Sequence, residues 1–280
     1  MSKTRFIFLM FILMSSFFNA QKKFYGSLEE AFKDPLKVKQ LSISDDENIV
    51  ELPESIDQLV NLETLIIAFN PKLKRLPESI GRLQNLRTLK IVDNRSLSKI
   101  PNSITDLKNL EELAFDRCRF TELPKDIGKL TNLNDVYFTG NNLTKLPASF
   151  SNLKNLEDLF LNHNQFEEIP AEIENLKKLK RINLNNNKVK TLPNFIYDLP
   201  NLWGLFLENN QIEKIAPELN RLKSLKVLGL ENNKISSFNL DLSNLVLLEV
   251  IDLTKNPISK EELEVARAKL VSGKIYFNEK

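Results

Sequence analysis

One pattern of apolar and polar positions repeats through most of the chain. It is clearest from Leu156 to Lys178, LEDLFLNHNQFEEIPAEIENLKK, where leucines occupy places 1, 4 and 6 and Asn164 occupies place 9. A segment that begins with Ile-Pro follows and carries Ile173 and Leu176. The frame begins at Val38, Leu62, Leu86, Leu110, Leu133, Leu156, Leu179, Leu202, Leu225 and Leu248. A fixed period of this length predicts a solenoid of stacked repeats, numbered 1 to 10 below.

The repeat length changes once along the chain. The first three intervals are 24 residues and the next six are 23, and the extra residue falls after place 9, where a turn can absorb it. Place 9 is asparagine in eight repeats, and Asp46 and Cys118 occupy it in the other two. We expect Cys118 to be structural, because a small buried side chain suits this position.

Each repeat should contribute one short strand and one return segment. Places 3 to 7 alternate in polarity, which predicts a strand with two inward apolar residues that pairs in parallel with its neighbours. We expect the place-9 amide to turn inward and bond to backbone groups that the turn leaves unpaired. The apolar spacing after Leu-Pro or Ile-Pro favours one or two turns of α-helix or 3₁₀-helix on the outer face.

Residues 1–20 have the features of a secretory signal peptide. A basic start precedes an apolar run from Phe6 to Met14, and Ala20 marks a plausible cleavage site. The alternative is an uncleaved membrane anchor, but the apolar run is shorter than the roughly 20 residues that span a bilayer. We therefore expect export, to the periplasm, the cell surface or the medium, without membrane insertion after cleavage.

An amino-terminal cap is predicted over residues 21–37, before the repeats at 38–258. Ser27 and Glu30 have the spacing of a capping box, so a short helix should run to about Lys33. Such a cap is needed because the first repeat would otherwise expose an apolar end.

A carboxy-terminal cap is predicted over residues 259–280. Ser259 and Glu262 form a second capping box at the start of a helical run, KEELEVARAKL. A final strand should follow over 274–277.

The frame LxxLxLxxNxLxxLPxxIxxLxx resembles that of the leucine-rich repeat superfamily. Its Leu-Pro-x-x-Ile form is similar to the subclass in Scribble-type and plant Ras-group-related proteins, and the end of the signal peptide resembles those of Bacteroidetes-type bacteria. The resemblance implies an α/β fold: a curved solenoid with a parallel sheet on its concave face and short helical or 3₁₀ segments on its convex face. It also implies protein–protein recognition.

Composition narrows the chemistry that this chain can perform. The formal net charge is +2, which gives no electrostatic argument for nucleic acid. The single cysteine and single histidine exclude thiolate metal clusters, most other metal sites and any cysteine–histidine arrangement with spare members, and we expect no cofactor and no metal. The histidine, His163, lies at place 8 and is predicted to be a solvated turn residue.

Binding residues should lie at places 3, 5 and 7, which face away from the core. At place 5, Tyr137 and Phe160 are adjacent, and Asn183 and then Phe206 follow. Exposed aromatic residues are enriched where proteins bind partners, so we expect a binding face at repeats 4–8. The alternative is that these rings only cover the sheet and one another.

Place 3 carries three successive acids, Glu112, Asp135 and Asp158, followed by Arg181. Like charges in register repel one another, and a cationic group of a partner or a bound Ca²⁺ would relieve the repulsion. Alternatively, Arg181 partly neutralises the negative charge at one end of the row, and water screens the repulsion among the remaining acids.

Trp203 lies at place 2 of repeat 8, where its neighbours one repeat away are Lys180 and Lys226. It could anchor a partner at the rim of the face. Alternatively, its ring is stacked between the two lysine side chains.

These features favour a non-catalytic module that binds a protein through the concave face of repeats 4–8. A second hypothesis is a structural or adhesive envelope protein that binds glycan or Ca²⁺ through the acidic strip. A remote third is a carboxylate-dependent hydrolase that uses Asp135 and Asp158.

Overall fold

The computed structural model describes residues 24–268 and 274–276, in which the repeats stack into one open sheet of twelve parallel strands. Strand order in the sheet follows the chain from one edge to the other. The solenoid fold predicted from the sequence is confirmed. The predicted signal peptide lies outside the described residues. Within the described ranges, no helix has the length and apolar character to cross a bilayer.

Each repeat contributes one strand, and one further strand lies at each end of the sheet. The strands are β1 Phe24–Tyr25, β2 Gln40–Ser44, β3 Thr64–Ala68, β4 Thr88–Val92, β5 Glu112–Asp116, β6 Asp135–Tyr137, β7 Asp158–Phe160, β8 Arg181–Asn183, β9 Gly204–Phe206, β10 Val227–Gly229, β11 Val250–Asp252 and β12 Lys274–Tyr276.

Helical segments on the outer side are short and mostly 3₁₀, as predicted. Among the described residues, the α-helices are α1 Leu28–Ala31 and α2 Lys260–Ala268. The 3₁₀ segments are Pro35–Lys37, Glu54–Gln58, Glu78–Arg82, Asn102–Asp106, Ile127–Lys129, Ala148–Asn152, Ala171–Ile173, Asn194–Asp198 and Pro217–Arg221. The leucines of places 1, 4 and 6 fill the space between these segments and the sheet, and in repeat 6 all three have no exposed surface.

Both predicted capping boxes form their helix-starting contact. The Glu30 N–H donates to Ser27 Oγ at 3.1 Å, and the Glu262 N–H donates to Ser259 Oγ at 3.2 Å. Helix α1 ends at Ala31, two residues before the predicted end. The final strand begins at residue 274 as predicted, and residue 277 lies outside the described residues.

Strand length differs between the two halves of the sheet. Repeats 1–4 form strands over places 3 to 7 as predicted, but repeats 5–10 form strands over places 3 to 5 only. In repeat 5, the place-7 Thr139 N–H donates to the side-chain oxygen Asp116 Oδ1 at 2.8 Å. Because a side chain takes up this backbone donor, the strand-to-strand ladder ends early.

The place-9 asparagines turn inward and join successive repeats, as predicted. Asn164 Nδ2 donates to the carbonyls of Phe138 at 2.7 Å and Leu161 at 3.0 Å, and its Oδ1 accepts from the Leu143 N–H at 3.0 Å. The same three contacts recur at Asn187, Asn210, Asn233 and Asn256. We call this set of residues the inner asparagine ladder.

Cys118 replaces asparagine in this ladder and is buried in the core. Its Sγ lies 3.9 Å from the Ile91 carbonyl oxygen, which is a weaker contact than an amide makes. Burial raises the pKa of the thiol to about 12, so the thiolate is disfavoured and a structural role is supported.

A second asparagine ladder, which the sequence analysis missed, lies just before place 1. Asn155 Nδ2 donates to the Thr131 carbonyl at 2.8 Å, one repeat earlier. Equivalent bonds are made by Asn61, Asn85, Asn109, Asn132 and Asn201. The Asn-Leu pair that recurs at the start of six repeats was the available signal.

Place 8 is left-handed in every repeat, which the sequence did not predict. The residues with positive φ are Asp45, Phe69, Asp93, Arg117, Gly140, His163, Asn186, Asn209, Asn232 and Lys255. This conformation reverses the chain between the strand and the inner ladder. It suits glycine and asparagine and is unfavourable for a residue such as Phe69. His163 is the exposed turn residue that was expected.

Candidate functional site

Strand register brings the candidate residues side by side on the concave side of repeats 4–8. At place 3 the order is Glu112, Asp135, Asp158, Arg181, Gly204, and at place 5 it is Ala114, Tyr137, Phe160, Asn183, Phe206. We define the central concave face as Glu112, Asp135, Tyr137, Asp158, Phe160, Arg181, Asn183, Trp203 and Phe206. Every one of these residues is partly buried, because its neighbours stand one strand away.

Tyr137 and Phe160 form one continuous aromatic surface. Their ring centroids are 5.0 Å apart and their planes differ by 24°, which is a stacked arrangement. Burial, and then the charge of nearby Asp135, raises the pKa of the Tyr137 hydroxyl, so the ring stays neutral. The adjacency predicted from the repeat is therefore present.

Phe206 is separated from this pair by Asn183 and leans across Gly204. A Cβ added at Gly204 would lie 2.9 Å from Phe206 Cε2 and 3.5 Å from Arg181 Cγ. Glycine at place 3 therefore allows the Phe206 ring to approach Arg181. Asn183 Oδ1 accepts a hydrogen bond from the Asn185 N–H at 3.0 Å within its own repeat.

Arg181 connects the aromatic and acidic residues of the face. Its Cζ lies 5.2 Å from the Phe160 ring centroid and 5.7 Å from the Trp203 ring centroid. Its Nε donates to Asp158 Oδ1 at 2.7 Å. A guanidinium suits this position because it can stack on rings and bond to a carboxylate at the same time.

The stacking partner of Trp203 differs from the one predicted. The cation beside its ring is Arg181, whereas Lys180 and Lys226 form ion pairs with Glu157 and Glu249. The cation beside the Trp203 ring is therefore an arginine, and each lysine ammonium pairs instead with the place-2 carboxylate of the repeat on its other side. A rim contact through Trp203 remains a prediction.

The three acids at place 3 have unequal surroundings. Glu112 pairs with Lys90 Nζ at 2.8 Å and Asp158 pairs with Arg181, so both ends of the row are compensated. Among the ion pairs of the described residues, none includes Asp135. Burial raises the Asp135 pKa to about 7, and the hydrogen bond and charge of Asp158 and the charge of Glu112 act in the same direction, while Arg181 opposes them.

Lys90 is a member of this row that the sequence analysis missed. It lies at place 5 of repeat 3 and reaches diagonally to place 3 of repeat 4. A comparison of places in strict register does not find such a diagonal pair, although long side chains reach that far.

Neither the calcium nor the hydrolase hypothesis gains support from this geometry. In the described part of the chain, no three histidine, cysteine or acidic side chains form a group that could hold a metal. Cavities of about 310 and 790 Å³ lie elsewhere, the first beside Phe69 and Asp93 and the second beside Ile100 and Leu123. Neither cavity is lined by Asp135 or Asp158, the pair a hydrolase would use.

Comparison with protein families gives a consistent result. A profile for "Leucine-rich repeat region" matches residues 30–118, one for "Leucine rich repeat" matches 108–166, and one for "Leucine Rich repeats (2 copies)" matches 154–201. The chain is a leucine-rich repeat protein. No curated protein matches its sequence at a significant level.

Solved structures similar to this leucine-rich repeat protein come from plants and bacteria. The plant peptide hormone receptor RGFR1, in complex with RGF2, is 26% identical over 86% of this chain, with a TM-score of 0.65. The Arabidopsis receptor kinase HAESA is 24% identical over 84%, with a TM-score of 0.67. An internalin, InlF, from Listeria monocytogenes is 20% identical over 88% of this chain and 84% of its own, with a TM-score of 0.58. The chain spans 45% of the RGFR1 chain and 40% of the HAESA chain.

Proposed function

We propose that this protein is a non-catalytic recognition module that binds a protein partner through its central concave face. The observation that carries the proposal is the Tyr137–Phe160 stack, which Arg181 links to Trp203 across neighbouring strands. Partly exposed aromatic and arginine side chains are the residue types that dominate binding energy at protein interfaces. Leucine-rich repeats are commonly interaction scaffolds, and the family profiles match residues 30–201 of this chain.

RGFR1 supports the choice of a protein or peptide as the partner. Its structure is described as a complex with RGF2, and this chain is 26% identical to it. A repeat array forms a long concave surface, which suits an extended segment of a partner. We further propose that the protein is exported by the signal peptide at residues 1–20 and meets its partner outside the cytoplasm.

A capture experiment tests the assignment of the face. The protein is immobilised, and partners are captured from the envelope fraction of the source organism and quantified. Phe160→Ala with Phe206→Ala should reduce recovery of the captured partner at least about tenfold, because truncating an interface anchor typically weakens binding by more than 1 kcal/mol. The melting temperature should change by less than about 5 °C, because both rings are only partly buried.

Leu36→Ala with Val60→Ala is the matched control for this experiment. These side chains are 65% and 45% exposed, so the control removes apolar surface near the amino-terminal edge and leaves the face intact. Partner recovery that is unaltered in the Phe160/Phe206 variant, or equally reduced in the control, would contradict the assignment.

A further inference from the structure

The same two-residue unit occurs on two neighbouring strands of the central concave face. Asp158 and Phe160 place an acid at place 3 and an aromatic ring at place 5 of β7, and Asp135 and Tyr137 do so on β6. In β7 the unit is completed by Arg181 of the next strand, which bonds to the acid and lies beside the ring. The sheet therefore contains one complete acid–guanidinium–aromatic contact, formed by Asp158, Arg181 and Phe160.

The unit on β6 has no arginine of its own. The next strand presents Asp158 at place 3, and this acid is already bonded to Arg181. The preceding strand presents Glu112, which is paired with Lys90 at 2.8 Å. Asp135 thus lies between two acids, and each of those acids is already paired with a base.

The neighbouring place-5 residue leaves one side of the Tyr137 ring without an aromatic neighbour. Phe160 stacks on the Tyr137 ring from β7, whereas the residue in register on β5 is Ala114, which has only a methyl group. A planar cation of a partner could lie against Tyr137 from this side while it bonds to Asp135. A guanidinium fits both requirements better than an ammonium, because it is flat and donates in pairs.

We propose that an arginine side chain of the protein partner completes the unit at Asp135 and Tyr137 in the way that Arg181 completes it at Asp158 and Phe160. The inference rests on the proposed function, since it specifies one contact of that same face. It identifies the partner by its chemistry: an extended segment that carries an arginine.

The charges around Asp135 make this contact dependent on pH. Asp135 faces Glu112 on β5 and Asp158 on β7, while the positive charges of Arg181 on β8 and of Lys180, the residue before it, attract the ionised carboxylate. With that pKa at about 7, the carboxyl is mostly protonated at pH 6 and mostly ionised at pH 8. Arginine binding should therefore strengthen as the pH rises from 6 to 8.

Peptide titration followed by NMR tests the contact directly. The probe is N-acetyl-Ala-Arg-Ala-amide, and the comparison peptide carries citrulline, which has nearly the same shape without the charge. We expect saturable shifts in the amide signals of β6 and β7, with the citrulline peptide about tenfold weaker, as the loss of one charged stacked contact implies. Asp135→Asn should weaken binding of the arginine peptide by a similar factor and leave binding of the citrulline peptide unchanged.

Glu231→Gln is the matched control, because it also removes one acid from the concave side but lies in repeat 9 and is paired with Lys255. The Asp135→Asn side chain has nearly the same shape as the original, and an unchanged amide spectrum away from β6 will show that the variant is folded. Absence of saturable shifts, equal affinity for the two peptides, or arginine binding unaffected by Asp135→Asn would overturn the inference. If capture still depends on Phe160 and Phe206 in that case, the proposed function stands without this contact.

Discussion

Asp135 and Asp158 are adjacent acids on the same face, yet their environments give them different roles. Asp158 is bonded to Arg181 in a contact that also involves the Phe160 ring. Asp135 has the same place in the preceding repeat but faces two acids, and its pKa rises to about 7 because ionisation in this partly buried position is unfavourable. Asp158 has Arg181 in register on the next strand, whereas Asp135 has Asp158 there, and we propose that an arginine of the partner supplies the base that Asp135 lacks.

The raised Asp135 pKa predicts a pH-dependent difference in stability between the wild type and Asp135→Asn. The usual pKa is 3.8 and the folded-state pKa is about 7, so the folded state holds the proton more tightly. This contribution to the free energy of unfolding is present below pH 4 and is lost as the pH rises to 7. Asp135→Asn should therefore gain about 1 kcal/mol relative to wild type between pH 5 and pH 8, after allowance for solvent screening.

Urea unfolding at the two pH values measures this difference. Asp116 is also shifted to a pKa of about 7 by burial, so both proteins should lose stability over this range, and only their difference reports on Asp135. A difference that is the same at pH 5 and pH 8 would show that Asp135 is not destabilised by ionisation.

Repeat elements show which features a sequence pattern can reveal. The period predicted the register, and with it the meeting of Tyr137 and Phe160, because residues one repeat apart must be neighbours in a parallel sheet. It also predicted the inner asparagine ladder. It did not predict the left-handed place 8, because the glycine and asparagines found there are mixed with residues such as Phe69 and Lys255, which carry no signal for that conformation.

Side-chain reach accounts for what the pattern missed at the face. Lys90 crosses from place 5 to place 3 to pair with Glu112, and Arg181 rather than a lysine lies beside Trp203. Both contacts depend on the length and direction of flexible side chains. The position of a residue within the repeat does not reveal how far or in which direction its side chain reaches. The shortened strands have a similar cause, since side-chain oxygens such as Asp116 Oδ1 replace backbone acceptors.

The inner asparagine ladder should contribute more to stability than the second ladder. Asn164→Ala should lower the free energy of unfolding by roughly 2–3 kcal/mol, because it leaves buried backbone groups of repeat 5 without partners. Asn155→Ala should lower the free energy of unfolding by less than about 1 kcal/mol, because water can replace its exposed bond to Thr131.

Cys118→Asn should raise the free energy of unfolding by about 1 kcal/mol. The new amide can donate to the Ile91 carbonyl and accept from the Asn94 N–H, which lies beside the thiol.

Denaturant unfolding of the three variants checks this order. The assignment of the ladders would be contradicted if Asn155→Ala were as damaging as Asn164→Ala. A loss of stability in Cys118→Asn would show that the Cys118 site has been reshaped around the thiol and no longer accepts the ladder residue.

At the scale of the whole molecule, the repeats specify a scaffold, and we propose that the concave residues between the leucines specify what it binds. The sheet runs unbroken through all twelve strands, so the central concave face is supported on both sides by strands with the same register. A partner segment that crosses repeats 4–8 would meet the paired acid Glu112, then the Asp135–Tyr137 unit, then the arginine–aromatic surface.

The most direct test of this account is site-specific photo-crosslinking to the captured partner. A benzophenone amino acid is placed at position 160 on the concave face, and at position 174, an exposed residue at the end of the Ala171–Ile173 segment on the outer side. The account predicts a covalent adduct with the partner from position 160 and none from position 174. Adducts formed only from position 174, or equally from both positions, would contradict binding through the central concave face.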